Sequence, residues 1–411
     1  MRLEILPFAF LFAASCGRTS VDLGGNTDRA GWLAVNYDTD AGVQAGTPEV
    51  QTLYDGGDLV LGIAVDDTSL AVATWDLHSS DHPIRVQVCN LLDCSKTLQT
   101  VTSAAVATDP SWDFKFGGMD LSRPRIHMIV SRGEAIFLGQ IPGPYAIRIC
   151  STAGCPNGPR TIPVLGNLYS LAADEKYVYS LTRGASDATS MAALAFNVER
   201  CARAGCDVSE VLAFPDTVAA IFNGSYGFPQ MKLVESAGLL FVSSAGGIAR
   251  VRLDFSAPPE LFYQSTTALD GLSVVGNYVY FTSSTLAGQV QRCPLDGCSQ
   301  GPETVVSGQR WPNELVSDDS DLYWVSNMSA NLLNSGLPCR ISDSSNPCSV
   351  KARDPSRIER ISPARSFEPS IVLDNLDYYS SCPLSLNADH LFWCAQRDIS
   401  SLSSTIRMMA R

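Results

Sequence analysis

The stretch "LSVVGNYVYFTSS" (272–284) leads into "GQVQRCPLDGC" (288–298) and then "ETVVS" (303–307). It reads as four short strands in succession. Runs rich in Val, Tyr and Phe are broken at "GN", at the small residues after Ser283 and at the "PLDG" reversal. None of the runs carries the i, i+3, i+4 apolar spacing of a helix. The first hairpin of this unit recurs as "LGIAVDDTSLAVATW" (61–75), "LYSLAADEKYVYSLT" (168–182), "MKLVESAGLLFVSSA" (231–245), "ELVSDDSDLYWVSN" (314–327) and "LSLNADHLFWCAQ" (384–396), with "MDLSRPRIHMIVS" (119–131) as a looser copy. An Arg-bearing third strand follows in "YAIRICSTAGC", "FNVERCARAGC" and, more loosely, "PIRVQVCNLLDC". Apolar pieces such as "RTIPVL" (160–165) and "ELFYQ" (260–264) close the unit.

One four-stranded sheet cannot bury both of its faces. Radial stacking of such sheets does, and it leaves only short edges exposed. Four strands repeating every ~40–70 residues therefore predict an all-β chain folded as a β-propeller. The units count to seven blades, with six or eight compatible with the uneven spacing and with a fourth unit that lacks cysteines. The last unit stops after about three strands, while residues 31–56 resemble the back half of a blade. N- and C-terminal strands are therefore expected to share one blade and close the ring.

Thirteen cysteines are present. Setting Cys16 aside leaves six neighbouring pairs: Cys89/Cys94, Cys150/Cys155, Cys201/Cys206, Cys293/Cys298, Cys339/Cys348 and Cys382/Cys394. The first four share the spacing C-x4-C, with Asp93, Gly154, Gly205 or Gly297 before the second cysteine. These residues suit a tight reversal that brings two α-carbons within disulfide reach. Zinc is the competing reading, but a structural site needs four converging ligands, and these pairs fall in different repeats. His78, His82, His127 and His390 stand at no ligand spacing to them, and no C-x-x-C redox motif occurs. The expectation is six disulfides: four clips on strand-end turns, a cross-strand bridge from Cys382 to Cys394, and Cys339–Cys348 closing a Ser/Pro-rich loop.

The N-terminal "MRLEILPFAFLFAAS" (1–15) has an apolar run too short to span a bilayer, ending in small residues, as a signal peptide does. "AASC" (13–16) resembles a bacterial lipobox, which implies lipidation of Cys16. Residues 16–30 are polar and Gly-rich like a flexible tether, and residues 31–411 form the propeller domain. With a net charge of −13 the chain lacks the basic footprint of a nucleic-acid binder. Contact with a membrane is expected through the lipid alone, in a bacterial envelope, periplasmic or surface-exposed.

The strands "VYFTS" (279–283), "LYWVS" (322–326) and "LFW" (391–393) resemble those of YWTD, NHL and TolB-like propellers. The unit with a C-x-x-D-G-C clip resembles repeats of secreted myxobacterial lipoproteins. The resemblance spans residues 31–411 and implies the fold, with no functional residue to carry over.

No G-x-S-x-G elbow, H-E-x-x-H motif or phosphate-binding Gly loop occurs. The turns "AVDDTS" (64–69) and "SDDSD" (317–321) lack the D-x-D-x-D-G calcium pattern and read as Asp-stabilised reversals. His78 and His82, with Asp76 and Asp81, read as a solvated hairpin loop, and "KARDPSRIERISPAR" (351–365) as a basic surface loop on blade six. The expected function is non-catalytic: an envelope-anchored propeller binding a protein or a glycan through its face or rim, without cofactor. The alternative is a metal-dependent hydrolase or lyase of lactonase type. Its Ca²⁺ or Mg²⁺ would sit in the central channel among Asp120, Lys232, Glu235, Asp270, Asn313 and Glu314. A quinone-cofactor dehydrogenase is a third, weaker reading.

Overall fold

A computed structural model describes residues 50–55, 58–76, 84–104, 128–139, 146–164, 166–184, 196–206, 208–223, 230–285, 287–318, 320–326, 356–376, 384–398 and 403–411. Its strands form seven four-stranded antiparallel sheets, the blades of a β-propeller. After β1 (Val50–Tyr54), blade one holds β2 (Leu59–Val65), β3 (Ser69–Trp75), β4 (Ile84–Asn90) and β5 (Gln99–Ala104). Blade two holds β6 (Met128–Ser131), β7 (Glu134–Gly139), β8 (Ala146–Ser151) and β9 (Arg160–Pro163). Blade three holds β10 (Gly166–Ala173), β11 (Tyr177–Gly184), β12 (Phe196–Ala202) and β13 (Glu210–Ala213). Blade four holds β14 (Gln230–Val234), β15 (Leu239–Ser244), β16 (Gly247–Arg252) and β17 (Glu260–Gln264). Blade five holds β18 (Leu269–Val275), β19 (Tyr278–Ser283), β20 (Gly288–Pro294) and β21 (Glu303–Gln309). Blade six holds β22 (Pro312–Ser317), β23 (Leu322–Ser326), β24 (Ser356–Ser362) and β25 (Ser366–Leu376).

Blade seven combines β26 (Ser385–Leu386), β27 (His390–Asp398) and β28 (Ser403–Ala410) with β1 as its outermost strand. Val50 stands opposite Met409 and Thr52 opposite Arg407. The chain thus closes its ring with a strand from the N-terminal side, as the sequence predicts; residues 31–49 lie outside the described residues. The first strand of each blade is innermost, and these seven strands contact one another in sequence around the ring.

Each junction between blades is one apolar layer, and this explains the all-apolar second strands. Along β19, Val279 and Phe281 enter the layer shared with blade four, while Tyr280 enters the layer shared with blade six. Every residue of β3 is buried for the same reason. The seventh layer joins Tyr54, Phe392 and Ile406 of blade seven to Val60, Ile63 and Val72 of blade one, so ring closure is apolar as well as hydrogen-bonded. Burying a Phe, Ile or Val side chain in such a layer contributes roughly 1.5–3 kcal/mol.

Four clips are disulfides: Cys89–Cys94, Cys150–Cys155, Cys201–Cys206 and Cys293–Cys298, with Cα separations of 4.8, 5.6, 5.7 and 5.2 Å. They are more than surface staples. Cys89, Cys150, Cys201 and Cys293 end the third strands of their blades and are buried in the inter-blade layers. Cys394 is disulfide-bonded on β27. Its expected partner Cys382, the pair Cys339 and Cys348, and Cys16 all lie outside the described residues.

Two readings of the sequence need correction. Met128–Ser131 is the first strand, not the second, of the first hairpin of blade two, and residues 119–127 lie outside the described residues. That hairpin is β6 and β7, turning at Arg132–Gly133, where both residues are left-handed (φ 55° and 74°). Residues 351–365 are not a surface loop throughout. From Ser356 they form β24, the third strand of blade six, with Ile358 and Ile361 in the core.

Candidate functional site

An antiparallel meander puts its first–second and third–fourth turns at one end of the sheet and its remaining connections at the other. In this propeller the four described clips and all the first hairpin turns share one end, the clip end. The opposite, loop end carries the second–third connections and the links between blades.

The clip end is built from a repeated arginine. In blades three, four and five the third strand carries Arg200, Arg250 or Arg292. Each is paired across to the first residue of the outer strand: Glu210 at 2.6 Å, Glu260 at 2.7 Å and Glu303 at 2.7 Å. The same guanidiniums reach the next blade. Arg200 donates to the Leu253 carbonyl and lies over the Phe255 ring. Arg250 donates to the Leu295 carbonyl at 2.9 Å, and Arg292 lies over the Phe367 ring at 4.6 Å. Planar, multiply donating guanidinium suits this task in a way an ammonium does not. Blade two is linked differently, by Arg203 of blade three, which reaches Glu134 at 2.8 Å and the Ser131 carbonyl at 2.9 Å.

The acidic hairpin turns serve the backbone. Asp66 Oδ1 accepts the Thr68 and Ser69 N–H groups, and Asp174 Oδ1 those of Lys176 and Tyr177. Asp318 Oδ1 does the same for Ser320 and Asp321. Burial alone would raise the Asp318 carboxyl. These N–H groups, Ser320 Oγ and the Arg411 guanidinium outweigh burial and hold it below the usual carboxylate range. This is the turn chemistry read from "SDDSD".

Among the described residues of the loop end, buried polar side chains are found where blades five and six meet. Innermost strands β18 and β22 both bulge near this end: their registers skip Asp270–Gly271 and Glu314–Leu315. A side chain at Gly271 would place Cβ 2.5 Å from Leu315 Cβ and 2.8 Å from its backbone nitrogen, so the two bulges lock together. Glu314 is buried with φ 53°, a conformation disfavoured for any residue with a Cβ, and Trp311 just before β22 is left-handed as well. Bulges of this kind re-aim side chains and concentrate beside binding sites. Arg310 precedes β22 and Arg357 and Glu359 stand on β24 opposite Ser326 and Trp324, while Gln309 Oε1 accepts from Trp324 Nε1 at 3.1 Å and Ser326 Oγ at 2.9 Å. Asp270, Arg310, Glu314, Arg357 and Glu359 are each engaged with a neighbour. Asn313, only 8% exposed, leaves its Oδ1 without a hydrogen-bond partner.

The structure scatters the remaining channel candidates. Lys232 is on β14 in blade four. Glu235 is in the turn after β14, at the clip end and away from Asp270, Asn313 and Glu314. Asp120, His78, His82 and Asp81 lie outside the described residues, and Asp76 binds Arg85 at 2.8 Å. Among the described residues no three His, Cys, Asp or Glu side chains converge as a metal site. Sequence reading missed Gln309, Arg310, Arg357 and Glu359. The signal that could have found the last two is the apolar pair Ile358 and Ile361 set among charged residues.

No family model matches this chain, and none of the curated proteins does. Solved structures do. The structure of U3-55K superposes with a TM-score of 0.54 at 11% identity, covering 89% of this chain and 100% of that one. The WD40 repeats of RRP9 give 0.53 at 10% identity, over 89% and 99%. The β-propeller domain of the trilobed protease from Pyrococcus furiosus gives 0.52 at 7% identity, over 86% and 94%. That domain is described as having an open velcro topology, whereas β1 and β28 pair here to close the ring. At these identities the likeness is one of fold: the chain is a seven-bladed β-propeller.

Proposed function

We propose that this chain is a non-catalytic recognition module whose loop end binds an envelope protein or a glycan. One observation carries the reading. The clip end is tied together by repeated disulfides, arginine stitches and Asp-capped turns, while the loop end gathers bulged inner strands, a strained Glu314 and the inter-blade links. Binding residues belong on connections held by a rigid scaffold. In this reading residues 1–15 are a signal peptide, Cys16 carries lipid, residues 16–30 are the tether, and residues 31–411 are the recognition domain. The protein then sits at a bacterial envelope with its membrane contact confined to the lipid. The disulfides fit that oxidising setting.

The test is capture of the tagged full-length protein from its own envelope after mild crosslinking, with intact-mass analysis of the recovered chain. The expected result is a reproducible companion crosslinked to loop-end residues, and a mass that adds lipid to a chain starting at Cys16. Channel variants Asp270→Asn and Glu314→Gln, if folded, should retain the companion. Its absence, or stoichiometric divalent ion on a solitary protein, would favour channel catalysis instead.

A further inference from the structure

Two neighbouring blade junctions treat the same side chain differently. Trp324 and Trp393 hold matching places on the second strands of blades six and seven, and each packs its indole into the layer shared with the preceding blade. At the five–six junction the indole is served. Gln309, the last residue of β21, accepts from Trp324 Nε1 at 3.1 Å and from Ser326 Oγ at 2.9 Å, so one carboxamide oxygen takes two donors. At the six–seven junction both polar groups are gone. Gln309 stands opposite Gly288, the first residue of β20, whereas the residue opposite Ser356, the first of β24, is Leu376. Two residues after the indole, the place of Ser326 is taken by Ala395.

Trp393 Nε1 accordingly has no hydrogen-bond partner among the described residues, on a side chain only 1% exposed. Two more buried atoms in this layer share its state. Arg407 stands directly opposite Trp393 on β28, so the two side chains leave the sheet on one face, and Arg407 Nε is unpartnered. Asn313 stands opposite Val325, which packs in the six–seven layer, while the residue before it, Pro312, meets Gly288 of blade five. Asn313 therefore faces blade seven with its unpartnered Oδ1. Tyr323 faces the same layer, but from the clip end, with Arg360 beside its hydroxyl. A buried donor or acceptor with nothing to bind forfeits the hydrogen bonds it had in water. Two donors and one acceptor do so here in a single layer.

We propose that the junction of blades six and seven is a binding site for a secondary amide, either the acetamido group of an amino sugar or an amide of a peptide. The amide fits by count. Its carbonyl oxygen has two lone pairs for Trp393 Nε1 and Arg407 Nε, and its N–H serves Asn313 Oδ1. It fits by precedent as well: one blade back, the Gln309 carboxamide oxygen takes two donors, one of them the matching indole. A carboxylate would satisfy the donors and leave Asn313 Oδ1 facing a second acceptor. The proposal rests on the recognition reading and deepens it by naming the group recognised. A companion held by other loop-end residues would be captured without this contact, so the two readings fail separately.

The chain has six tryptophans, so protein labelled with ¹⁵N at the indole gives six N–H signals. Loss of one signal in Trp393→Phe, or in Trp393→Tyr, identifies Trp393, and Trp324, already bonded, is the internal reference. N-acetylglucosamine, N-acetylglycine N-methylamide and glucose would each be titrated to about 0.1 M, because a single amide group is expected to bind in the millimolar range. A downfield shift of the Trp393 signal with the acetamido sugar or the peptide probe, and not with glucose, supports the site and names the source. Leu376→Gln should supply the missing carboxamide from the chain itself. It should move the Trp393 signal downfield without any probe and weaken probe binding about tenfold or more. An equal shift with glucose, or no shift with any probe, means that ordered water alone serves these atoms and overturns the proposal. The titration of the wild-type chain is decisive, so a misfolded variant does not leave the question open.

Discussion

The two ends of this propeller use the same blades for different purposes. At the clip end the solution repeats: a disulfide where the third strand ends, an arginine shared between its own outer strand and the next blade, and an Asp or Asn capping the hairpin turn. At the loop end the blades differ. Blade four turns back at Ala245–Gly246, where a Cβ on Gly246 would sit 2.2 Å from the Ile221 carbonyl. That carbonyl belongs to α1 (Asp216–Asn223), a helix in the link from blade three. Blades five and six interlock through bulges instead. Repetition marks the part of the molecule that only has to hold; variation marks the part free to recognise.

The largest expected effect lies in the clips. Cys293→Ala with Cys298→Ala removes a loop closure of about 2 kcal/mol together with a sulfur from the layer between blades four and five. The same double change at all four described clips should lower the thermal midpoint in steps; a quadruple variant as stable as the wild type would break the distinction between the ends. Gly271→Val tests whether the loop end is also rigid beneath its surface. With Leu315 in the way, it should cost about 1–3 kcal/mol in denaturant unfolding. Next comes Arg250→Ala, which strands Glu260 and the Leu295 carbonyl and should cost about 1–2 kcal/mol. Arg250→Lys should recover less than half of that, because an ammonium cannot serve both partners in one plane.

The smallest effect is a pH dependence at Asp318. Its folded pKa is depressed, so its contribution to stability is complete above the unfolded carboxylate range and is lost as pH falls through the lower folded value. The carboxylate is partly exposed, so solvent screening keeps this below about 1 kcal/mol. Asp318→Asn should flatten that portion of the acid limb in a pH series of unfolding curves, and an unchanged acid limb would contradict the assignment.

Much of this architecture was legible in the sequence. Strand–turn–strand units such as 272–284 and 314–327 announce themselves because both faces of a blade are buried, which leaves unbroken apolar runs bounded by Gly, Asn and Asp. The truncated last unit and the strand-like N-terminal segment foretold the shared blade. Blade two was misframed because "SRP" looks like a turn, whereas the real reversal is the inconspicuous Arg132–Gly133. β24 was hidden by its charges: Arg357, Glu359 and Arg360 alternate with Ile358 and Ile361, and a basic run without aromatics reads as surface. The site was less legible. The C-x4-C spacing shows the clips, and Arg beside them is visible, but its Glu partner lies about ten residues on, across a strand pairing that only the fold supplies.

The most direct test of separate duties compares charge placed on each end. Thr217→Arg and Thr266→Arg put a cation on exposed loop-end positions, and Asn157→Arg and Ser256→Arg do the same at the clip end. Surface changes of this kind should alter stability by no more than about 0.5 kcal/mol. The measurement is the amount of crosslinked companion recovered with each variant relative to the wild type. Loss with the loop-end pair and retention with the clip-end pair is the predicted result; retention with the first and loss with the second would contradict the account.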